Sequence, residues 1–398
     1  MDVRRRLISF NNDEDTTGPI DTNNYLTILA LEDGLTATLG KYSDCEYCID
    51  GDGNWIHASD LKPINQGQTL SFRGHLIPRL YTGIGTFTIN KKCNLEGNCM
   101  SLLFGDDAVN NNLSGKDYAF YGLFRECTTI VQVSESFLPA TTLATSCYEY
   151  MFNGCTSLTT APELPATVLA ESCYEYMFYQ CTSLTTAPSI LPATTLARFC
   201  CASMFEGCTS LTTAPELPAT VLAEYCYQHM FDGCTSLTTA PSILPATTLA
   251  RFCCKYMFKN CTSLTTAPSI LPATTLSEGC CYEMFYQCTS LTTAPKLPAT
   301  TLATSCYECM FYGCTSLTTA PELPATTLAT RCYDTMFNGC KKLNYIKMLA
   351  TDISASKCLD YWVSNVSNTG TFVKKRAMKS LPTGNNGIPR GWTVQNVS

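Results

Sequence analysis

The strongest order in this chain is a change of hydrophobic period inside a short, copied unit. From Cys155 to Gln180 the sequence reads CTSLTTAPELPATVLAESCYEYMFYQ. Thr156–Ala161 is rich in β-prone threonine and is stopped by Pro162, because proline cannot donate to a sheet ladder. Glu163–Ala166 carries a second proline, Pro165, and reads as a turn, with Thr167 placed to cap the element after it. In that element, Cys173, Met177, Phe178 and Cys181 stand 4, 8, 9 and 12 residues after Leu169, the spacing of one helical face. Each unit is predicted to be strand, turn, helix.

The string CTSLTTAP occurs seven times, from Cys155, Cys181, Cys208, Cys234, Cys261, Cys288 and Cys314, with degenerate copies from Cys127 and Cys340. Successive starts from Cys127 lie 28, 26, 27, 26, 27, 27, 26 and 26 residues apart. One such unit cannot bury its apolar face alone, but stacked copies can, in ladders of Leu, Cys, Met and Phe. A period in this range is that of leucine-rich-repeat solenoids. Nine coils at a strand spacing of about 4.8 Å make a rod of roughly 40 Å. Three units carry an extra residue in SILP (Ser189–Pro192, Ser242–Pro245 and Ser269–Pro272), and these have Cys200-Cys201, Cys253-Cys254 and Cys280-Cys281 where most have Cys-Tyr. Volume compensation is one reading: Ile190, Ile243 or Ile270 fills the space that Tyr takes elsewhere. Duplication of an ancestral unit explains the same covariation.

The flanks differ. Tyr25–Leu39 alternates around Asp33-Gly34, a hairpin signal; Cys45–Trp55 reads as a second strand-turn-strand, and Thr69–Ile89 is a third β-prone stretch. Together they predict a small antiparallel β-sandwich of immunoglobulin-like size. The expected division is a tail at 1–24, the sandwich at 25–90, a junction and N-terminal cap at 91–126, the repeats at 127–345 and a C-terminal cap at 346–398. That last cap would use Trp362, Phe372 and Trp392, since end units need a polar outer face.

The pattern MFxGCTSLTTAPELPATTLAxxCYxxMF resembles the BspA-like, Treponema-type leucine-rich repeats, with Met151-Phe152, Cys155 and Leu158 matching the core between helix and strand. It departs where Met stands for the usual Ala before Phe and Cys-Tyr for Ile-Gly, and the unit is a few residues longer. The likeness covers roughly residues 120–350. The flanking strings Asn94–Phe104 and Gly387–Val394 also resemble proteins of gut Bacteroidetes and their phages. Together with the predicted β-sandwich before it, the resemblance gives an α+β chain whose repeats form a right-handed leucine-rich-repeat solenoid of 26–28-residue units. It implies display and adhesion rather than catalysis.

Composition narrows the chemistry. With 26 Lys+Arg against 33 Asp+Glu the formal charge is −7, which argues against nucleic-acid binding. Three histidines, His57, His75 and His229, make a multi-histidine metal enzyme improbable. Of the 26 cysteines, 21 fall in the repeats; they are read as free thiols used as small buried hydrophobes. Cys45 and Cys48 form a CxxC with no second pair at finger spacing. Asp50–Trp55 (DGDGNW) comes near a calcium loop, but Trp55 stands where glycine is needed and the distal Glu is missing, so it reads as a structural turn. No metal or cofactor is expected. Neither HExxH, GxSxG, a P-loop nor a strand-borne GxGxxG occurs, so the chain is read as a non-enzyme. Arg4–Arg6 is read as a solvated tail. No secretory h-region or membrane-length apolar run is present, which places the chain in a virion or, with its signal removed, on a cell surface.

Variation between units gathers at two registers. Just before Met stand Tyr150, Tyr176, Ser203, His229, Tyr256, Glu283, Cys309 and Thr335; just after Phe stand Asn153, Tyr179, Glu206, Asp232, Lys259, Tyr286, Tyr312 and Asn338. The candidate ligand-binding residues are Tyr150, Tyr176, Tyr179, Tyr256, Tyr286 and Tyr312, expected to point outward on the convex face. Tyrosine offers contact area at low entropic cost. The ladder Thr159, Thr185, Thr212, Thr238, Thr265, Thr292 and Thr318 is read as β packing, each Thr facing away from its neighbour Thr. Three functions fit: a phage host-binding or fibre protein, a bacterial surface adhesin, and a spacer displaying the β domain. Expected partners are a host or bacterial surface protein or glycan, a second copy, or another virion protein, without nucleic acid.

Overall fold

The computed structural model describes residues 19–40, 45–78, 83–108 and 112–398; the Arg4–Arg6 cluster lies outside them. The N-terminal strands are β1 (Leu26–Ala30), β2 (Ala37–Leu39), β3 (Cys45–Ile49), β4 (Ile56–His57), β5 (Thr69–Gly74), β6 (Phe87–Ile89) and β7 (Cys93–Gly97). The strand β8 (Ile130–Val133) completes a six-stranded sheet ordered β4-β3-β5-β1-β7-β8, while β2 and β6 form a separate two-stranded pair. The Asp33-Gly34 hairpin does not form. Instead β1 lies between β5 and β7, antiparallel to both, and Leu35 bridges to Ile64. The cause is burial on both faces: Leu26, Thr27, Ile28 and Ala30 are all enclosed, and a strand so enclosed needs two neighbours where a hairpin supplies one. The β3–β4 turn does form, with Glu46 opposite His57. Its acids bond backbone: Asp50 Oδ1 accepts from the Thr69 N–H at 2.8 Å and Asp52 Oδ1 from the Asn54 N–H at 2.9 Å.

The strand β7 lies beyond residue 90 and pairs in parallel with β8, the start of the first coil. The sheet therefore runs directly into the repeats. A column of phenylalanines runs with it. Phe72 meets Phe87 edge-on at 5.2 Å, and Phe87 then stacks on Phe124 at 5.2 Å. The stack continues through Phe152, Phe178, Phe205, Phe231, Phe258, Phe285, Phe311 and Phe337 with centroids 5.4–5.7 Å apart. Trp362 ends it, tilted against Phe337 and edge-on to Phe372.

The predicted helices are absent from the described repeats. Every second residue of this arm bonds three residues back, and the residues between bond to the next coil. Thus Cys147, Glu149, Met151, Asn153 and Cys155 donate to Ala144, Ser146, Tyr148, Tyr150 and Phe152, while Ser146, Tyr148, Tyr150, Phe152 and Gly154 donate to Glu171, Cys173, Glu175, Met177 and Tyr179. Positive φ recurs at every fourth residue, as at Ser146, Tyr150 and Gly154, which a right-handed helix of L-residues does not tolerate. The arm is a ribbon of overlapping four-residue turns. An α-helix gains about 40° of rotation in each four-residue step, so a strict 4, 8, 12 spacing drifts off a helical face but stays on one side of a four-residue turn.

Elsewhere each coil touches its neighbours through single parallel bridges, such as Thr160 to Thr186 and Thr239 to Thr266, so most units hold no extended strand. The paired threonines are consequently not on opposite faces. Thr185 and Thr186 are both exposed with hydroxyls 3.5 Å apart, and Thr185 Oγ1 donates to the Thr159 carbonyl of the preceding coil at 3.1 Å.

All 26 cysteines lie among the described residues as thiols, and 25 are buried. The cysteine that opens each unit has a specific use: its thiol donates to a Phe carbonyl of the preceding coil. Cys155 reaches Phe124, Cys181 Phe152 and Cys208 Phe178 at 3.1–3.2 Å, and the row continues to Cys340 and Phe311. The volume-compensation reading fails at two of its three units. Ile190 and Ile243 are 40% and 56% exposed, so they fill nothing that Tyr vacates. Where Cys254 and Cys281 replace Tyr, a cavity of about 20 Å³ remains, lined by Tyr227, Leu244, Leu271 and Met284.

The turn geometry continues past Cys340, with positive φ at Lys357, Tyr361 and Asn365. Then β9 (Tyr345–Met348), β10 (Thr371–Lys375) and β11 (Thr393–Val397) form a parallel sheet ordered β11-β10-β9. Trp362 and Trp392 are buried, and their indole N–H groups donate to Gly387 and Ser367.

If the Phe column carries the array, Phe205→Ala removes a fully buried ring from its middle and lowers stability by about 3–5 kcal/mol. Ile243→Ala, at an exposed site, changes it by less than about 0.5 kcal/mol. Denaturant melts of both variants check the contrast.

Candidate functional site

The two variable registers lie on the turn ribbon, on either side of the buried Met-Phe pair. Met and Phe hold the ribbon to the core, so the side chain before Met and the one after Phe emerge beside their counterparts in the next coil. All six candidate tyrosines are half-buried. Tyr150 stacks on Tyr176 at 4.9 Å, and Tyr176 meets Tyr179 edge-on at 5.6 Å. Arg125 caps this group, 5.2 Å above the Tyr150 ring. The second group begins at Tyr256, edge-on to Tyr282 at 5.5 Å. The Lys259 ammonium sits 4.4 Å from the Tyr256 ring and 4.9 Å from that of Tyr286, which stacks on Tyr312 at 4.7 Å. The structure thus assembles the candidates into two clusters, Tyr150–Tyr176–Tyr179 and Tyr256–Lys259–Tyr286–Tyr312. Between them the same registers carry Ser203, Glu206, His229 and Asp232.

Burial pushes the phenols of Tyr150, Tyr176, Tyr256 and Tyr286 above their ordinary range. These rings are neutral at physiological pH and present a hydroxyl donor with an apolar face. Together they suit stacking on a sugar or a flat protein side chain, with hydrogen bonds at the rim. Burial also lifts the Glu149 carboxyl to about 7, which the Ser146 hydroxyl partly offsets and the charge of Glu175 reinforces. Cys48 of the CxxC is pushed up to about 11 by burial, so it stays a neutral thiol.

A third aromatic row was missed from the sequence. Phe199, Tyr225 and Phe252 stack at 4.8 and 5.5 Å on the outer edge of the ribbon. Arg198 lies 4.7 Å from the Phe199 ring and Arg251 4.8 Å from that of Phe252. Arg251 also pairs with Glu278 at 2.9 Å. The available signal was the string ARFCC, present twice, at Ala197–Cys201 and Ala250–Cys254. The row ends at Gly279, where a Cβ would lie 2.0 Å from Phe252 Cε1 and φ is +57°. The next unit lacks a side chain there because the Phe252 ring covers it.

Among the described residues, one group of side chains is placed to hold a metal ion: Glu206, His229 and Asp232. No helix among them is long and apolar enough to cross a membrane.

The model of the BspA type leucine rich repeat region matches the chain in six copies, over residues 116–238, 200–293 and 253–359. A leucine-rich repeat protein from Bacteroides ovatus is similar at 15% identity with a TM-score of 0.22, over 65% of this chain and 82% of that one. The leucine-rich repeat protein of T. pallidum is similar at 17% identity with a TM-score of 0.20, over 61% and 73%. No curated protein matches the chain.

This geometry has two measurable outcomes. The raised Glu149 carboxyl holds a proton in the folded chain between about pH 4.5 and 7, where the unfolded chain has lost it. Glu149 therefore destabilises the fold above pH 7, and the penalty disappears as pH falls to 4.5. Glu149→Gln should raise the unfolding free energy at pH 8 by about 1–2 kcal/mol once its partial exposure is allowed for, and leave it nearly unchanged at pH 4.5, as denaturant melts at the two pH values would read. At the other edge, Gly279→Ala should cost at least about 1 kcal/mol, and Phe252→Ala in the same chain should recover part of that loss, read as a coupling energy in a double-mutant cycle.

Proposed function

The chain belongs to the BspA-type leucine-rich-repeat family, and from that premise we propose that it is a non-enzymatic surface-binding protein. Members of this family are commonly surface or adhesion proteins and typically carry no catalysis. On this reading the array is a right-handed solenoid between a β domain at 25–90, joined through 91–126, and a cap at 346–398. Its tyrosine-bearing registers face a protein or glycan on a cell surface.

The observation that carries the reading is where the copies differ. The CTSLTTAP arm is repeated unchanged in seven copies, while the aromatic and charged variety collects on the turn ribbon in two stacked clusters. A surface diversified on a constant frame is what a binding protein requires. The likeness of Asn94–Phe104 and Gly387–Val394 to proteins of gut Bacteroidetes and their phages fits a virion host-binding role and a bacterial adhesin alike.

Binding of the purified chain to Bacteroidetes cells and to a glycan array tests the site. Replacing Tyr176, Tyr179, Tyr286 and Tyr312 together by Ala should cut binding at least tenfold, since each buried aromatic contact contributes about 1 kcal/mol or more. Undiminished binding by a folded variant would rule out these tyrosine registers as the site.

A further inference from the structure

The gap between the two tyrosine clusters has a chemistry of its own. Consecutive coils place Glu206 and Asp232 at the register after Phe, and His229 stands at the register before Met. One donor atom from each lies within 4.8 Å of the other two, and all three side chains are half-buried. The other units put Asn, Tyr or Lys after Phe, so this is the one place where that register gives two carboxylates in succession.

Surrounding groups fix the donors. Asp232 Oδ1 accepts from Asn260 Nδ2 at 3.1 Å, and Asp232 Oδ2 lies 2.9 Å from His229 Nδ1. The His229 ring rests 4.4 Å from the Tyr256 ring. Lys259, the neighbouring ammonium, is paired with Glu283 at 2.8 Å. Glu206 and Asp232 share one half-buried patch of the ribbon. The two carboxylates therefore repel in a partly dry place.

We propose that Glu206, His229 and Asp232 form a site for a divalent transition-metal ion, of the Zn²⁺, Co²⁺ or Mn²⁺ class. One imidazole and two carboxylates form a mixed nitrogen–oxygen set that suits these ions. The cation neutralises the paired carboxylates. Asn260 and Tyr256 hold Asp232 and His229 in place, as outer groups do at metal sites. Three protein donors leave coordination positions open for water. The ion replaces the His229–Asp232 hydrogen bond.

The buried thiols are the competing ligands, so Co²⁺ is the probe. The full-length reduced chain is titrated with cobalt chloride and followed by absorbance and by thermal melting, with no binding partner present. The expected result is about one Co²⁺ per chain, weak visible bands without intense near-ultraviolet thiolate charge transfer, and a melting point that rises with Co²⁺. His229→Gln and Glu206→Gln should each weaken binding at least tenfold, as loss of one of three ligands does, with circular dichroism like that of the parent. No binding, a thiolate-type spectrum, or unchanged affinity in both variants would overturn the site. If one variant fails to fold, the other and the parent spectrum decide.

Discussion

The molecule depends on a division of labour among backbone N–H groups. In the turn ribbon, alternate donors close a turn within the coil or reach the coil ahead. Satisfying donors in both directions leaves few unpaired groups in a segment packed against a fully buried core, where an orphaned donor is costly. It also sets the period. A four-residue turn brings Cys, Met and Cys back to the same side each time, so Phe, Met and thiol columns result from it. The thiol of each unit-opening cysteine then supplies a donor to a Phe carbonyl, which a methyl group could not do.

This explains which parts of the fold the sequence makes legible. The period, the stacking and the core residues can be read directly, because Leu158, Cys173, Met177 and Phe178 recur without change and all are buried. The local conformation cannot. Offsets of 4, 8, 9 and 12 fit a helix over one unit, and only the absence of drift across all three steps separates that from a ribbon of turns. Glycine at the third positive-φ position, as at Gly154, Gly207 and Gly233, was the available clue. Tyrosines and serines at the other positive-φ positions hid it, since those residues rarely adopt such angles. The Asp33-Gly34 turn misled in the other direction: its local signal is sound, but β1 is claimed by β5 and β7.

The candidate site shows the same limit. The differences between units mark two registers and six tyrosines, and the structure gathers these into two clusters of touching neighbours. What comparison along the chain could not show is contact across coils. Glu206 and Asp232 are 26 residues apart yet meet at His229, and Phe252 explains Gly279 only once its ring is seen lying over the glycine. Exposed ion pairs between coils, such as Arg251 with Glu278, add little stability singly, but they orient the aromatic row that borders the registers.

The alternating backbone bonds have one more consequence. Each coil presents the same donors forward and the same acceptors back, whatever its side chains. Removing or adding one 26- or 27-residue copy by recombination leaves the turn ribbon of every remaining junction with its backbone partners. The β domain at one end and the Trp362 closure at the other are untouched. Length is therefore an adjustable trait of this molecule, a ruler set in whole coils, and selection can change its reach without finding a new fold.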